Sequence, residues 1–163
     1  MDFDATFDAH YADLVRYCQR LTGDADVSED IAQESMFRLF GNDLRGAPEG
    51  VRAWLFTTAT HLVRDRYRTE TNRKRLLEIH HEGPSGAEAP DRSLERAEAR
   101  DLARSALDTL SERDRGVLLM RHSGFSYAEI AEAVGLAASS VGTILARAEA
   151  RFEKAVRKAG EAA

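Results

Sequence analysis

Basic side chains are interleaved with aromatic rings between Arg52 and Arg75, and this combination could bind a nucleic acid. Guanidinium and ammonium groups attract phosphates, while aromatic rings stack on unpaired bases, so the stretch suits a single strand. Only Asp65 and Glu70 oppose its positive charge. It is the strongest positive patch in the chain, although a solvated basic helix end has the same composition.

A second stretch, which begins at Ser126, has the spacing of a helix-turn-helix. Ser126 and Glu129 form the S-x-x-E pattern of a capping box, and Gly135 is suited to end the first helix. Ser139 or Ser140 is predicted to cap the second helix. Its apolar face is Val141, Ile144, Leu145, Ala148 and Phe152. Such a pair can lay its second helix in a major groove, but a plain helical hairpin has the same pattern.

The composition excludes several other kinds of site. The net charge of −5 means that any DNA contact must come from local patches. Cys18 is the only cysteine, which excludes an intramolecular disulfide and a cysteine-based zinc site. His80-His81-Glu82 has no second cluster at ligand spacing, so neither a metal nor a cofactor is predicted. No nucleophile elbow or phosphate loop occurs, which argues against an enzyme.

The N-terminal residues are acidic and lack a signal-peptide pattern. No stretch approaches the roughly 20 apolar residues of a membrane span. The expected protein is therefore cytoplasmic, with no membrane span.

Helices are predicted to position these residues throughout. In the first half they cover residues 4–21, 26–40 and 51–69, and Asp26 with Glu29 has capping-box spacing at the start of the second. One side of the second helix is polar. That side is either solvated or a docking surface, and it carries Asp30, Gln33, Glu34 and Arg38.

The third helix is predicted to have two faces. Its core face is Val51, Trp54, Leu55, Ala59, Leu62 and Val63. The opposite face offers Arg52, Phe56, Thr57, Thr60, His61, Arg64 and Arg68.

A change in amino-acid composition divides the chain. Residues 76–91 contain two prolines and two glycines among polar residues, which is typical of a flexible interdomain linker. The second half is predicted to hold four helices, the first of them with Leu94 and Leu102 on its apolar side. The predicted fold is all-α, with small helical domains at residues 1–75 and 92–163, the second containing the helix-turn-helix.

Three motifs in this order are similar to those of one family. They are Asp30–Phe37 (DIAQESMF), Arg52–Phe56 (RAWLF) continuing to Asp65-Arg66, and Gly124–Ala131 (GFSYAEIA). From residue 7 to about residue 152 the chain resembles a bacterial RNA polymerase sigma factor of the extracytoplasmic-function (ECF) type, within the sigma-70 family.

The resemblance implies that the polar side of the second helix docks on core RNA polymerase, through Asp30, Gln33, Glu34, Phe37 and Arg38. It implies that a loop and the third helix bind the melted minus-ten element, through Arg45, Trp54, Phe56, Thr57, His61, Arg64 and Arg68. Many members of the family have Asn where His61 stands here.

The same resemblance implies that the helix-turn-helix binds the minus-thirty-five element, through Ser126, Tyr127, Ser139, Ser140, Gly142, Thr143, Arg147 and Arg151. Its second helix carries fewer basic residues near its start than is usual in the family, so weak intrinsic affinity for duplex DNA is expected. The implied partners are core RNA polymerase, promoter DNA and an anti-sigma factor. The alternative function is a free-standing helix-turn-helix regulator.

Overall fold

A computed structural model describes residues 2–41, 48–77 and 94–162 of the chain. Every regular element in these ranges is a helix, which confirms the predicted all-α class. The chain divides into two compact units, Met1–Ala87 and Glu88–Ala163, at a point inside the predicted linker. The domain boundaries themselves stay a prediction.

The first unit is built from three helices, α1 (Phe3–Thr22), α2 (Ala25–Gly41) and α3 (Pro48–Leu77), each packed on the other two. Its core holds one buried polar pair, in which the Tyr17 hydroxyl and Thr60 Oγ1 lie 2.8 Å apart. The Tyr17 ring packs against Phe56, with 4.8 Å between ring centroids. These contacts join α1 to α3 through a side chain that is almost completely buried.

Cys18 is buried in the same core. Burial raises the pKa of its thiol to about 12, so the thiol stays protonated at neutral pH. Cys18 therefore packs as a small apolar side chain.

Two helix starts in the first unit differ from the prediction. The Asp24 carboxylate, and not Asp26, caps α2, because it accepts a hydrogen bond of 3.0 Å from the Val27 N–H. Helix α3 begins at Pro48, a residue that suits the first helical position because it has no N–H to leave unpaired. It also continues eight residues beyond Thr69, since Lys74 and Arg75 in its last turn complement the helix dipole.

The second unit contains α4 (Leu94–Asp108), α5 (Glu112–His122), α6 (Tyr127–Val134) and α7 (Ala138–Glu161). Helix α7 packs on each of the other three, through a face that includes Val141, Ile144 and Leu145. The start of α4 departs from the prediction, because Leu94 is 76% exposed and does not join the core.

The helix-turn-helix is confirmed in α6 and α7. Both halves of the Ser126–Glu129 capping box are present, and Gly135 ends α6 with φ 73°. The predicted cap of α7 is wrong: Ala137 is its N-cap, and no side-chain cap hydrogen bond is made. Because the Leu136 N–H already bonds to α6, at 2.9 Å, Ala137 is the next extended residue and Ser139 and Ser140 fall within the first turn.

Among the helices that the structure describes, no single one is long and apolar enough to cross a membrane. The pair α6 and α7 meets that criterion only when taken together, and it is bent by 89°.

Candidate nucleic-acid and protein interfaces

The polar side of α2 is an exposed surface, as predicted. Its residues recur at i, i+3, i+4, i+7 and i+8, so they share one side of the helix. Ile31, Met36 and Leu39 lie on the opposite side and are buried. The exposed residues, called the α2 docking face below, are Asp30, Gln33, Glu34, Phe37 and Arg38.

Phe37 is the most unusual member of the α2 docking face, because its side chain is 75% exposed. Arg38 Nε donates a hydrogen bond of 2.7 Å to Glu34 Oε1 beside it. Phe37 is therefore an exposed apolar side chain with polar residues around it.

An open groove of about 820 Å³ adjoins this face. One wall carries Phe3 and Phe7 of α1, with the Phe3 ring also 4.7 Å from Phe40. The other walls come from α2 and from the middle of α3. The α2 docking face therefore continues into an aromatic-lined groove that a protein partner can fill.

A different side of α3 presents the residues predicted to bind a single strand. Trp54, Thr57, His61, Arg64 and Arg68 fall within about a quarter of the helix circumference. All five keep solvent access, and His61 and Arg68 are exposed. The structure thus brings five of the seven predicted minus-ten residues together, and we call this stripe the α3 strand face.

Phe56 does not belong to the α3 strand face, and its predicted outward placement is wrong. Its side chain is only 1% exposed, between the Tyr17 ring and the Arg52 guanidinium, which lies 4.8 Å from its ring centroid. Thr60 is buried as well. Helical spacing explains both placements, because Phe56 lies near Ala59 and Val63 on the core side of α3.

Arg45, the remaining predicted minus-ten residue, lies outside the described residues, as do His80-His81-Glu82 and most of the predicted linker. Within the described ranges, no group of three His, Cys, Asp or Glu side chains is placed to hold a metal ion.

The outward side of the helix-turn-helix presents small polar groups. Ser126, Tyr127, Ser139 and Thr143 are exposed, and Ser140 is half-buried. Tyr127 lies between the Arg121 guanidinium, 5.3 Å from its ring centroid, and α7 at Gly142.

Arg147 and Arg151 are also exposed, but both contact one carboxylate that the sequence did not single out for this role. Asp114 of α5 is 1% exposed, with Oδ1 3.4 Å from Arg147 and Oδ2 3.3 Å from Arg151. Ser111 is the N-cap of α5. The Ser111 hydroxyl accepts from the Asp114 N–H, at 3.1 Å, while the carboxylate faces α7.

Comparisons with known proteins match one family region to each half of the chain. The model of Sigma-70 region 2 matches residues 6–73, which carry the α2 docking face and the α3 strand face. The model of Sigma-70 region 4 matches residues 100–152, which carry the helix-turn-helix.

Individual relatives extend over most of the chain. The ECF RNA polymerase sigma factor SigL of Mycobacterium tuberculosis is 35% identical over 144 residues, which are 84% of this chain and 78% of SigL. The ferric citrate uptake sigma factor FecI of Escherichia coli is 29% identical over 91% of this chain and 87% of FecI.

A solved structure shows the same fold. It is the sigma factor RpoE of Bartonella quintana, in complex with the anti-sigma factor NepR, with a TM-score of 0.76 and 22% identity. The match covers 96% of this chain and 97% of RpoE. With both sigma-70 regions in order and a relative of this identity, the chain belongs to the ECF group of the sigma-70 family of RNA polymerase sigma factors.

Proposed function

We propose that the protein directs RNA polymerase to promoters through three surfaces: the α2 docking face, the α3 strand face and the helix-turn-helix. The observation that carries this proposal is the exposure of Phe37 on the α2 docking face, beside an aromatic-lined groove. Phe37 is 75% exposed and borders the groove that Phe3 and Phe7 line, and a contiguous apolar surface with polar residues around it is typical of a protein interface. The bond-forming chemistry then belongs to the polymerase, and the protein itself is not an enzyme.

Core RNA polymerase is the proposed occupant of the α2 docking face. Phe37 supplies an apolar anchor, while Gln33 and Glu34 supply hydrogen-bonding groups around it. Asp30 and Glu34 outnumber Arg38, so the face has a net negative charge that a basic surface on the polymerase complements.

The α3 strand face is proposed to hold the unpaired strand of the minus-ten element. Trp54 offers a ring for stacking, and Arg64 and Arg68 attract phosphates about three and four turns further along the helix. Basic residues continue to Arg75 on the same helix, because α3 extends to Leu77. This length supports a path for the strand along α3 rather than a single point of contact.

Replacing both Arg64 and Arg68 by Gln is expected to slow promoter opening. Each lost contact to a single-stranded phosphate lowers the log–log salt slope by about 0.7, so the pair lowers it by about 1.4. Opening is followed in the holoenzyme with 2-aminopurine in the minus-ten element. The double variant Arg16→Gln/Arg20→Gln removes the same charge from exposed positions on α1 and is expected to leave the slope unchanged. Equal slopes for the two variants would contradict the assignment.

The helix-turn-helix is proposed to read the minus-thirty-five duplex. Helices α6 and α7 meet at 89°, close to the angle of this motif in DNA-binding proteins. The first turn of α7 has no side-chain cap, so its N–H groups suit a phosphate or a base edge. Ser139 and Thr143 then supply hydroxyl groups on the exposed side.

Replacing Gly142 by Ala is expected to raise the free energy of unfolding of the second unit by about 0.5–1 kcal/mol. A Cβ at this position meets the Tyr127 ring at 3.5 Å, an ordinary contact. If the α7 backbone lies close to DNA there, the same variant lowers promoter affinity. Stability is read from hydrogen exchange of α5 to α7, and affinity from anisotropy of labelled promoter with holoenzyme.

Gly116→Ala is the matched control, because a Cβ at Gly116 of α5 meets Val134 at 3.8 Å. This variant raises helix propensity by the same amount, at a position away from the proposed duplex-binding surface. A loss of affinity shared by both variants argues against close approach of DNA at Gly142.

Two separate DNA-binding surfaces, the α3 strand face and the helix-turn-helix, suit a factor that both positions polymerase at a promoter and opens the DNA. Each of these surfaces can bind DNA weakly, because the polymerase holds both near the promoter at high effective concentration. An inhibitor that covers the α2 docking face blocks both, and an anti-sigma partner is proposed by analogy with the RpoE–NepR complex. This function places the protein in the cytoplasm with the polymerase.

Run-off transcription tests the proposal. Core polymerase with this protein is expected to give specific transcripts from genomic promoter fragments, and core polymerase alone is not. A free-standing helix-turn-helix regulator, the alternative function, binds promoter fragments without changing the specificity of core polymerase. Failure to co-purify with core polymerase would support that alternative.

A further inference from the structure

A buried carboxylate in the second unit is surrounded by arginines. Asp114 contacts Arg147 and Arg151 of α7, and Arg113 Nε of its own helix lies 3.6 Å from Oδ1. A carboxylate that is 1% exposed is unfavourable without cationic partners, so folding favours these contacts.

The two partners from α7 matter for DNA binding. Between Ala138 and Arg151, the part of α7 nearest the turn, Arg147 and Arg151 are the only cationic residues. Asp114 therefore contacts every cationic side chain that this part of α7 offers to a phosphate.

We propose that Asp114 competes with DNA phosphates for Arg147 and Arg151 and thereby lowers the affinity of the free protein for duplex DNA. This inference rests on the proposed duplex surface of α7. An N–H group that bonds to the carboxylate is not available to a phosphate, and the carboxylate charge also repels the phosphate.

The geometry permits this exchange without unfolding. The arginine side chains are 45% and 57% exposed, whereas the carboxylate is not. Their contacts, at 3.4 and 3.3 Å, are longer than the 2.7–2.9 Å of strong charge-assisted hydrogen bonds. In the holoenzyme the high effective concentration of the promoter overcomes the competition, so duplex contact depends on the polymerase.

The central test is the Asp114→Asn variant of the full chain, which removes the charge and keeps the side-chain shape. Binding to a short fluorescein-labelled duplex of arbitrary sequence is measured by anisotropy at about 0.1 M KCl. Releasing two exposed guanidinium groups is expected to tighten binding by roughly five- to twentyfold. Loss of folding lowers affinity, so the expected gain differs in sign from damage to the fold.

Asp108→Asn is the matched control, because it changes the net charge equally but affects Arg104 and Arg115, outside α7. It is expected to change the affinity less than twofold. In an Arg147→Gln/Arg151→Gln background, Asp114→Asn is expected to have no larger effect than Asp108→Asn. An undiminished gain in that background overturns the inference, as does equal or weaker binding by a folded Asp114→Asn variant.

Arginine-labelled NMR of the wild-type chain provides a measurement that needs no folded variant. Addition of the duplex is expected to shift the Arg147 and Arg151 Nε–H signals together with the Asp114 carboxyl carbon. Arginine shifts without a carboxyl shift overturn the inference. If the inference is overturned in this way but the wild-type protein still gives specific run-off transcripts, the proposed function is not affected. If the wild-type protein gives no specific run-off transcripts, the proposed function itself is contradicted.

Discussion

Phe37→Ala is expected to reduce the affinity of the protein for core RNA polymerase by roughly 30- to 700-fold. The ring is 75% exposed in the free protein and lies among the hydrogen-bonding residues of the α2 docking face. Truncation of an apolar anchor at the centre of an interface costs about 2–4 kcal/mol, which corresponds to this range. Competition with a labelled sigma factor for core polymerase measures the loss.

The stability of the protein is expected to change by less than about 0.5 kcal/mol in this variant, because an exposed side chain contributes little to the core. Leu94→Ala is the matched control: Leu94 is 76% exposed but lies on α4, in the other unit. A loss below threefold for Phe37→Ala, or an equal loss for Leu94→Ala, would show that polymerase binds elsewhere.

Phe56→Ala is expected to lower the free energy of unfolding of the first unit by about 3–5 kcal/mol. The ring is 1% exposed and fills the space between α1 and α3, so its removal leaves a cavity beside Tyr17. Trp54 is the only tryptophan of the chain and lies in the first unit, so its fluorescence during urea denaturation reports that unit alone.

This result decides between burial and base stacking as the role of Phe56. Tyr67→Ala, at a 36% exposed aromatic of the same helix, is expected to cost less than about 0.5 kcal/mol. If Phe56 stacked on an unpaired base, its replacement would impair promoter opening and leave the urea midpoint unchanged. We expect instead that Phe56→Ala lowers the urea midpoint, and that any loss of promoter opening follows from this loss of stability.

Local patterns predicted much of what positions the candidate surfaces. The Ser126–Glu129 capping box and the glycine that ends α6 depend on residues within one or two turns, so sequence spacing was sufficient. The same holds for the polar residues of the α2 docking face, where helical periodicity separates exposed Glu34 from buried Ile31, whereas Phe37 was assigned by the resemblance. The roles proposed for these surfaces came from the resemblance, because periodicity indicates exposure and not function.

Helix boundaries were less predictable, because several residues compete to cap one end. Asp24 and Asp26 are both suitable caps for α2, and the tertiary structure uses Asp24. At α7 neither Ser139 nor Ser140 is the N-cap. Ala137 has that position, because the Leu136 N–H bond that closes α6 determines where the chain becomes extended.

The sequence by itself determined the helical class, the two-unit organisation and the polar residues of the α2 docking face, because these follow from local spacing and composition. Only the tertiary structure decided that Phe56 fills the core and that Asp114 contacts Arg147 and Arg151. The physical reason is distance along the chain: Phe56 meets a ring of α1, and Asp114 meets arginines 33 and 37 residues away. Such contacts arise only when whole helices pack, because they join residues that lie far apart along the chain.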